Sequence, residues 1–77
     1  LTPGDYVIHK LEHTKYLSFI STGSVKQLTL KNVKYPLEHQ DYDFPIALIS
    51  NEFIDEMMEI SFESGGIIVG QTRDSWR

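Results

Sequence analysis

The segment EISFESGGIIVGQT, residues 59–72, decides the fold class. Apolar and polar residues alternate from 59 to 63, which is the period-two pattern of a strand with one buried face. Gly65-Gly66 follows, and glycine supplies the positive φ of a tight turn without a steric penalty. A second β-rich run occupies residues 67–72. We therefore predict strands at 59–63 and 67–72 that pair as an antiparallel hairpin.

Further strands are predicted towards the N-terminus. Residues 5–11 are β-rich and follow a Pro-Gly pair that would stop a helix. Residues 15–32 have the pattern of a strand, a turn and a strand, which indicates a second hairpin. Residues 34–45 contain two prolines and are predicted to be a loop. Residues 46–49 form a short apolar run that predicts a buried strand or the approach to a helix.

One short helix is predicted at about residues 51–58. Ser50 or Asn51 suits its N-cap, because a side-chain oxygen there can accept a hydrogen bond from an unpaired amide. The apolar residues then follow helical spacing, and the acidic ones fall opposite them. The inner face would comprise Phe53, Ile54, Met57 and Met58, and the outer face Asp55, Glu56 and Glu59.

These elements predict a mainly β domain. The expected architecture is a small curved antiparallel sheet or barrel of five to six short strands with the helix near 51–58, and an open α+β sheet is the alternative. The predicted core comprises Leu28, Leu30, Ile60, Phe62, Ile67 and Val69. Residues 1–77 are short enough for one small domain. The first residue is leucine rather than methionine, which suggests an excised part of a longer chain.

Composition limits the kinds of binding site and location that the chain can have. The chain has no cysteine, so it has neither disulfides nor thiolate metal sites, and a cytoplasmic location is favoured. No apolar run reaches membrane-spanning length, so no membrane partner is predicted. The acidic residues around His39 lack the glycine turn of a calcium loop, so neither a metal nor a cofactor is predicted.

Charge is distributed unevenly along the chain. Residues 1–35 carry a net charge of +3, whereas residues 36–72 carry −8 and contain no lysine or arginine. A surface of one sign attracts partners of the opposite sign. We therefore predict that an acidic surface binds a basic protein. The candidate partner-binding residues are Glu38, Asp41, Asp43, Asp55, Glu56 and Glu59.

Catalytic motifs are missing from the sequence. It has no thiol, no nucleophile-elbow serine and no glycine-rich phosphate loop. The pattern therefore favours a non-enzymatic interaction module of the inhibitor, immunity or adaptor type.

The alternative is a small barrel that binds nucleic acid or RNA polymerase through its lysine-rich first half. Lysines there are interleaved with aromatic residues that could stack on bases: Lys10, Lys15, Lys26, Lys31 and Lys34 with Tyr6, Tyr16, Phe19 and Tyr35. Residues 3–10, with Glu12-His13 and Tyr16-Leu17, resemble the opening of the polymerase-interacting domain of transcription-repair coupling factors and CarD regulators. That resemblance implies a Tudor-like barrel that docks on the polymerase β subunit.

A second resemblance is fragmentary. Residues 4–7, 44–51 and 67–73 are each similar to a piece of the MazF toxin ribonucleases. The pieces stand at spacings that differ from those of that family, so no catalytic residue is carried over from it.

Overall fold

The computed structural model describes residues 1–73, and within them it contains seven β-strands and no helix. All are six or seven residues long. They are β1 (Gly4–His9), β2 (Tyr16–Ser21), β3 (Val25–Lys31), β4 (Leu37–Tyr42), β5 (Ala47–Glu52), β6 (Met57–Phe62) and β7 (Ile67–Thr72). The prediction of a mainly β domain is confirmed, although it expected fewer strands.

The strands form two antiparallel sheets rather than one curved sheet or a closed barrel. One sheet has the order β1-β6-β3-β4 and the other the order β5-β2-β7. The sheets pack face to face, because their inner sides share one apolar core. Strands β4 and β5 follow each other in the chain, and each is an edge of its sheet. The sandwich therefore has an open side between these two edges.

The core draws side chains from both sheets. Phe19 and Ile67 of the three-stranded sheet are buried, as are Leu28, Ile60 and Phe62 of the four-stranded sheet. Alternation along β6 buries every second residue, as the period-two pattern predicts. Of the six predicted core residues, five are buried and Val69 is partly buried against them. The core prediction is confirmed.

Both predicted hairpins are wrong, because the chain crosses between sheets at those turns. Strand β6 lies in the four-stranded sheet and β7 in the other, so residues 59–63 and 67–72 do not pair with each other. Strands β2 and β3, predicted as the 15–32 hairpin, are separated in the same way. The need for glycine in the turn between β6 and β7 is confirmed. Gly65 has φ +101°, and a Cβ there would collide with the Ser24 carbonyl.

The predicted helix near 51–58 is also wrong. Residues up to Glu52 belong to β5, and β6 begins at Met57. Met58 is buried with the alternating residues of β6, whereas Ile54 and Met57, which the helix would bury, are 63% and 44% exposed. The apolar residues at helical spacing therefore belong to a strand and its preceding loop. The predicted loop at 34–45 likewise contains β4.

No helix in residues 1–73 has the length and hydropathy that crossing a bilayer requires. The cytoplasmic location and the assignment of residues 1–77 to one domain stay predictions.

Candidate functional site

The open side of the sandwich carries a groove of about 350 Å³. Its lining comes from the edge strand β5, from the end of β3, from the start of β4, and from the loop that joins β3 to β4. The lining residues are Leu30, Tyr35, Leu37, Ala47, Leu48, Ile49 and Asn51. Five of these seven are aliphatic, with one aromatic ring and one amide among them. An apolar lining with few polar groups is the usual composition of a small-molecule site.

Tyr35 is an exposed side chain on a backbone that is held in place. The side chain is 56% exposed to solvent. Its backbone N–H donates to Asn51 Oδ1 at 3.0 Å, and its carbonyl accepts from Asn51 Nδ2 at 3.0 Å. Asn51 itself is only 5% exposed. A buried amide thus holds both backbone polar groups of the tyrosine, and the ring stands at the groove on a fixed support.

Next to Tyr35, the carboxylate of Glu52 at the end of β5 pairs with two lysines, Lys34 of the β3–β4 loop and Lys15 just before β2. Lys34 Nζ lies 3.0 Å from Glu52 Oε2, and Lys15 Nζ lies 3.6 Å from Glu52 Oε1. The hydrogen bond from Lys34 lowers the pKa of Glu52, and the same bond raises the pKa of Lys34. Lys34 N also donates to Glu52 O at 3.0 Å. The loop is therefore attached to β5 at two successive residues.

A second concave region covers the outer face of the four-stranded sheet. Polar groups from all four strands line it, including Thr29, His39 and Ser61, and charged side chains of both signs flank them. These are Asp5, Lys31 and Glu59. Tyr6 is the aromatic residue among its described lining, and its hydroxyl already donates to Thr2 O at 2.7 Å. This face offers mostly polar contacts, and the Tyr6 side chain is partly buried.

The six predicted acidic residues do not line the groove beside Tyr35. Glu38, Asp41 and Asp43 lie on β4 or directly after it, Asp55 and Glu56 lie in the β5–β6 loop, and Glu59 lies on β6, which β3 separates from β4. Three of them accept hydrogen bonds from the protein itself. Asp41 Oδ1 accepts from Gln27 N at 2.8 Å, Asp55 Oδ1 from Glu56 N at 2.8 Å, and Asp43 is paired with Lys26. No single acidic surface brings all six together.

Fold and groove together define a β-sandwich domain with an apolar groove on its open side. The model of the family described as "Thiamin pyrophosphokinase, vitamin B1 binding domain" matches residues 5–67. The chain therefore belongs to this family. It is 38% identical over 74 residues to the thiamine pyrophosphokinase of Bacillus subtilis (strain 168), covering 94% of this chain and 35% of that protein.

Solved structures agree. The structure of a thiamin pyrophosphokinase family protein from Enterococcus faecalis has a TM-score of 0.93 and 39% identity over 96% of this chain. The Bacillus subtilis thiamine pyrophosphokinase structure has a TM-score of 0.87 and 37% identity over the same share. The chain covers 35% and 36% of those two proteins. It thus spans about a third of the length of the relatives it matches.

These comparisons correct the functional predictions. The prediction of a non-enzymatic module of the inhibitor, immunity or adaptor type is wrong, because the relatives of this chain are thiamine pyrophosphokinases, which are enzymes. The predicted basic protein partner and the alternative of nucleic acid or RNA polymerase are wrong as well. The description of the family names a small molecule, vitamin B1, as what the domain binds. The role of the six acidic residues is not tested by the comparisons and stays a prediction.

Two of the groove residues carry other roles in the sequence predictions. The sequence predicts Tyr35 as a base-stacking residue and offers Asn51 as a helix cap. The available signal was an aromatic residue directly before a proline in an irregular segment, which indicates a ring on an extended, restrained backbone. Nothing in the local sequence indicates that Asn51 reaches that backbone, because 16 residues separate the two.

Proposed function

We propose that this chain is the thiamine-holding domain of a thiamine pyrophosphokinase, and that the groove on the open side contacts the vitamin. Thiamine consists of a flat, positively charged thiazolium ring joined to an aminopyrimidine. Such rings bind to aromatic and apolar surfaces with a few fixed polar groups beside them. The observation that carries the proposal is the exposed Tyr35 ring, which stands on a hydrogen-bonded backbone at an apolar groove.

The surroundings of the ring favour stacking on one of its faces. Lys34 Nζ lies 5.4 Å from the Tyr35 ring centroid, so this ammonium occupies one face. Glu52 holds the same ammonium and offsets its charge. We assign the opposite face of Tyr35 to a ring of the vitamin, with the aliphatic side chains of Leu37 and Ile49 beside it.

The domain's share of the reaction is to hold the acceptor substrate. The relatives named thiamine pyrophosphokinase are almost three times as long as the part matched here. Transfer of a pyrophosphoryl group also requires a site for its donor, and the groove has no charged side chain in its described lining that would hold phosphates. We propose that the donor site lies outside residues 1–73.

A titration of thiamine into the 77-residue protein tests this function. Isothermal calorimetry should detect binding, and Tyr35→Ala should weaken it about tenfold through loss of stacking. Tyr35→Phe should retain most of the affinity, because the ring remains. Phe44→Ala is the matched control, since Phe44 is 61% exposed and does not line the groove.

Two outcomes contradict the proposal. One is a wild-type protein that binds no thiamine at millimolar concentration. The other is an equal loss of affinity in Tyr35→Ala and Phe44→Ala, which would show that the groove has no special part in binding.

A further inference from the structure

Strand β5 contains an irregularity directly before Asn51. Leu17 is opposite Asn51 and Phe19 is opposite Leu48, so two residues of β5 oppose the single Ser18 of β2. Ser50 has φ +63°, a conformation that residues other than glycine seldom adopt. This is a β-bulge, which inserts one extra residue into a strand and redirects the side chains after it.

The bulge determines where the Asn51 side chain points. Side chains of a regular strand alternate between its two faces, so residues three apart lie on opposite faces. Leu48 and Asn51 are three apart, yet both are paired with inward-facing residues of β2, and Asn51 is 5% exposed. Without the extra residue the Asn51 amide would face outward. The strained backbone at Ser50 therefore turns this amide towards the loop that carries Tyr35.

The chemistry of the contact requires a neutral amide. Asn51 Nδ2 donates to Tyr35 O, while Asn51 Oδ1 accepts from Tyr35 N and from Glu52 N, the last at 2.9 Å. A side-chain amide supplies an acceptor and a donor in one rigid plane without charge, which an ionised carboxylate cannot do. An aspartate in the same place would keep the acceptor but would set a charged oxygen against the Tyr35 carbonyl.

We propose that Asn51 is the positioning residue of the thiamine site: the β5 bulge aims its amide at Tyr35, and the amide holds the tyrosine backbone so that the ring is presented at the groove. The inference rests on the proposed thiamine-binding function. It assigns Asn51 no contact with the vitamin, and it concerns a residue that acts through Tyr35.

The test uses Asn51→Asp and its dependence on pH. At neutral pH the variant should bind thiamine about tenfold more weakly than the wild type, because it has lost the donor to the Tyr35 carbonyl. A protonated carboxylic acid again has one donor and one acceptor. Burial raises the pKa of a carboxyl group, so the affinity should recover relative to the wild type as the pH is lowered from about 8 to about 5. Wild-type titrations at each pH correct for protonation of the vitamin and of other groups.

Gln71→Glu is the matched control. The Gln71 amide also holds two backbone groups, accepting from Leu11 N at 2.9 Å and donating to His9 O at 3.0 Å, and Gln71 lies on β7, away from the groove beside Tyr35. This control should leave the thiamine affinity within about twofold of the wild type at every pH. A merely structural role of Asn51 would lower the melting temperature but would produce no recovery of affinity in acid.

The outcomes separate this inference from the proposed function. Wild-type binding with an unchanged affinity in Asn51→Asp, or a loss without recovery in acid, overturns the positioning role and leaves the thiamine site standing. Failure of the wild type to bind overturns the proposed function itself. If Asn51→Asp does not fold, hydrogen exchange at Tyr35 N in the wild type decides: protection supports the contact with Asn51, and free exchange contradicts it.

Discussion

Two neighbouring loops of this domain differ in what holds them. The tyrosine loop, residues 32–36, joins β3 to β4, and the acidic loop, residues 53–56, joins β5 to β6. They meet at an isolated bridge between Val33 and Phe53. The buried Asn51 holds the backbone of the tyrosine loop, whereas the acidic loop carries exposed Ile54, Asp55 and Glu56.

This difference shows why a prediction from charge alone put the candidate site on the acidic residues rather than at the groove beside Tyr35. The acidic loop has the more conspicuous sequence, yet its long-range hydrogen bonds come from the backbone, Phe53 N to Lys15 O and Lys10 N to Glu56 O, and the Asp55 side chain bonds to the next amide in the chain. The tyrosine loop has a less conspicuous sequence, but side chains of β5 far along the chain hold it through hydrogen bonds and an ion pair. A small-molecule site needs groups held in place, and these side-chain contacts from distant residues supply this.

The largest expected effect comes from a core residue of β6. It tests whether the core, rather than the acidic loop before it, holds this strand. Phe62 is 3% exposed in the core, so Phe62→Ala should lower the free energy of unfolding by about 3–5 kcal/mol. Urea denaturation measures this. A loss below about 1 kcal/mol would show that β6 is held by the loop rather than by the core.

The next effect concerns the contact between Asn51 and the tyrosine loop. Asn51→Ala leaves Tyr35 N, Tyr35 O and Glu52 N without their partner, which should lower the free energy of unfolding by about 2–3 kcal/mol. Asp55→Ala removes the exposed hydrogen bond from Glu56 N in the acidic loop, and it should change the free energy of unfolding by less than about 0.5 kcal/mol. Equal losses in the two variants would erase the distinction between the loops.

The ion pair beside Tyr35 should make stability depend on pH at both ends of the scale. The hydrogen bond from Lys34 holds the pKa of Glu52 below its ordinary value of 4.5, so the stability it contributes is present above that value and is lost as the pH falls through the folded-state pKa. The hydrogen bond to Glu52 raises the pKa of Lys34 above 10.5, so that contribution is lost as the pH rises through the raised pKa.

Glu52→Gln should therefore flatten both limbs of the curve of melting temperature against pH. Glu56→Gln in the acidic loop is the control. A Glu52→Gln curve that retains the wild-type slopes in acid and alkali would mean that this pair does not help to hold the tyrosine loop.

The smallest expected effect is a triple charge reversal of Asp55, Glu56 and Glu59 to lysine. All three side chains are exposed, and exposed charges contribute little to stability, so the free energy of unfolding should change by less than about 0.5 kcal/mol. Thiamine affinity should stay within about twofold, because none of the three lines the groove. A collapse of the thermal melt would show that the acidic loop has a structural role that its contacts do not indicate.

The site was only partly predictable, for reasons that particular residues show. Tyr35 was recognisable as a stacking residue, because it is one of the aromatic residues interleaved with lysines in the first half of the chain. Asn51 could be recognised as a capping amide, but its predicted partner was a helix amide. Its actual partner is Tyr35 N, 16 residues earlier. The competing helix pattern in residues 53–58 arose because a strand and its loop happened to repeat at helical spacing.

The sequence by itself determined the β class, the strand phase of residues 59–63 and 67–72, the glycine at position 65 and most of the core. Each of these follows from period-two burial or from backbone sterics within a few residues. Only the tertiary structure decided that successive strands cross between two sheets, that β4 and β5 leave an open side, and that Asn51 meets Tyr35 there. Sheet partners and long-range hydrogen bonds depend on how the whole chain buries its apolar surface at once, and no local pattern encodes that choice.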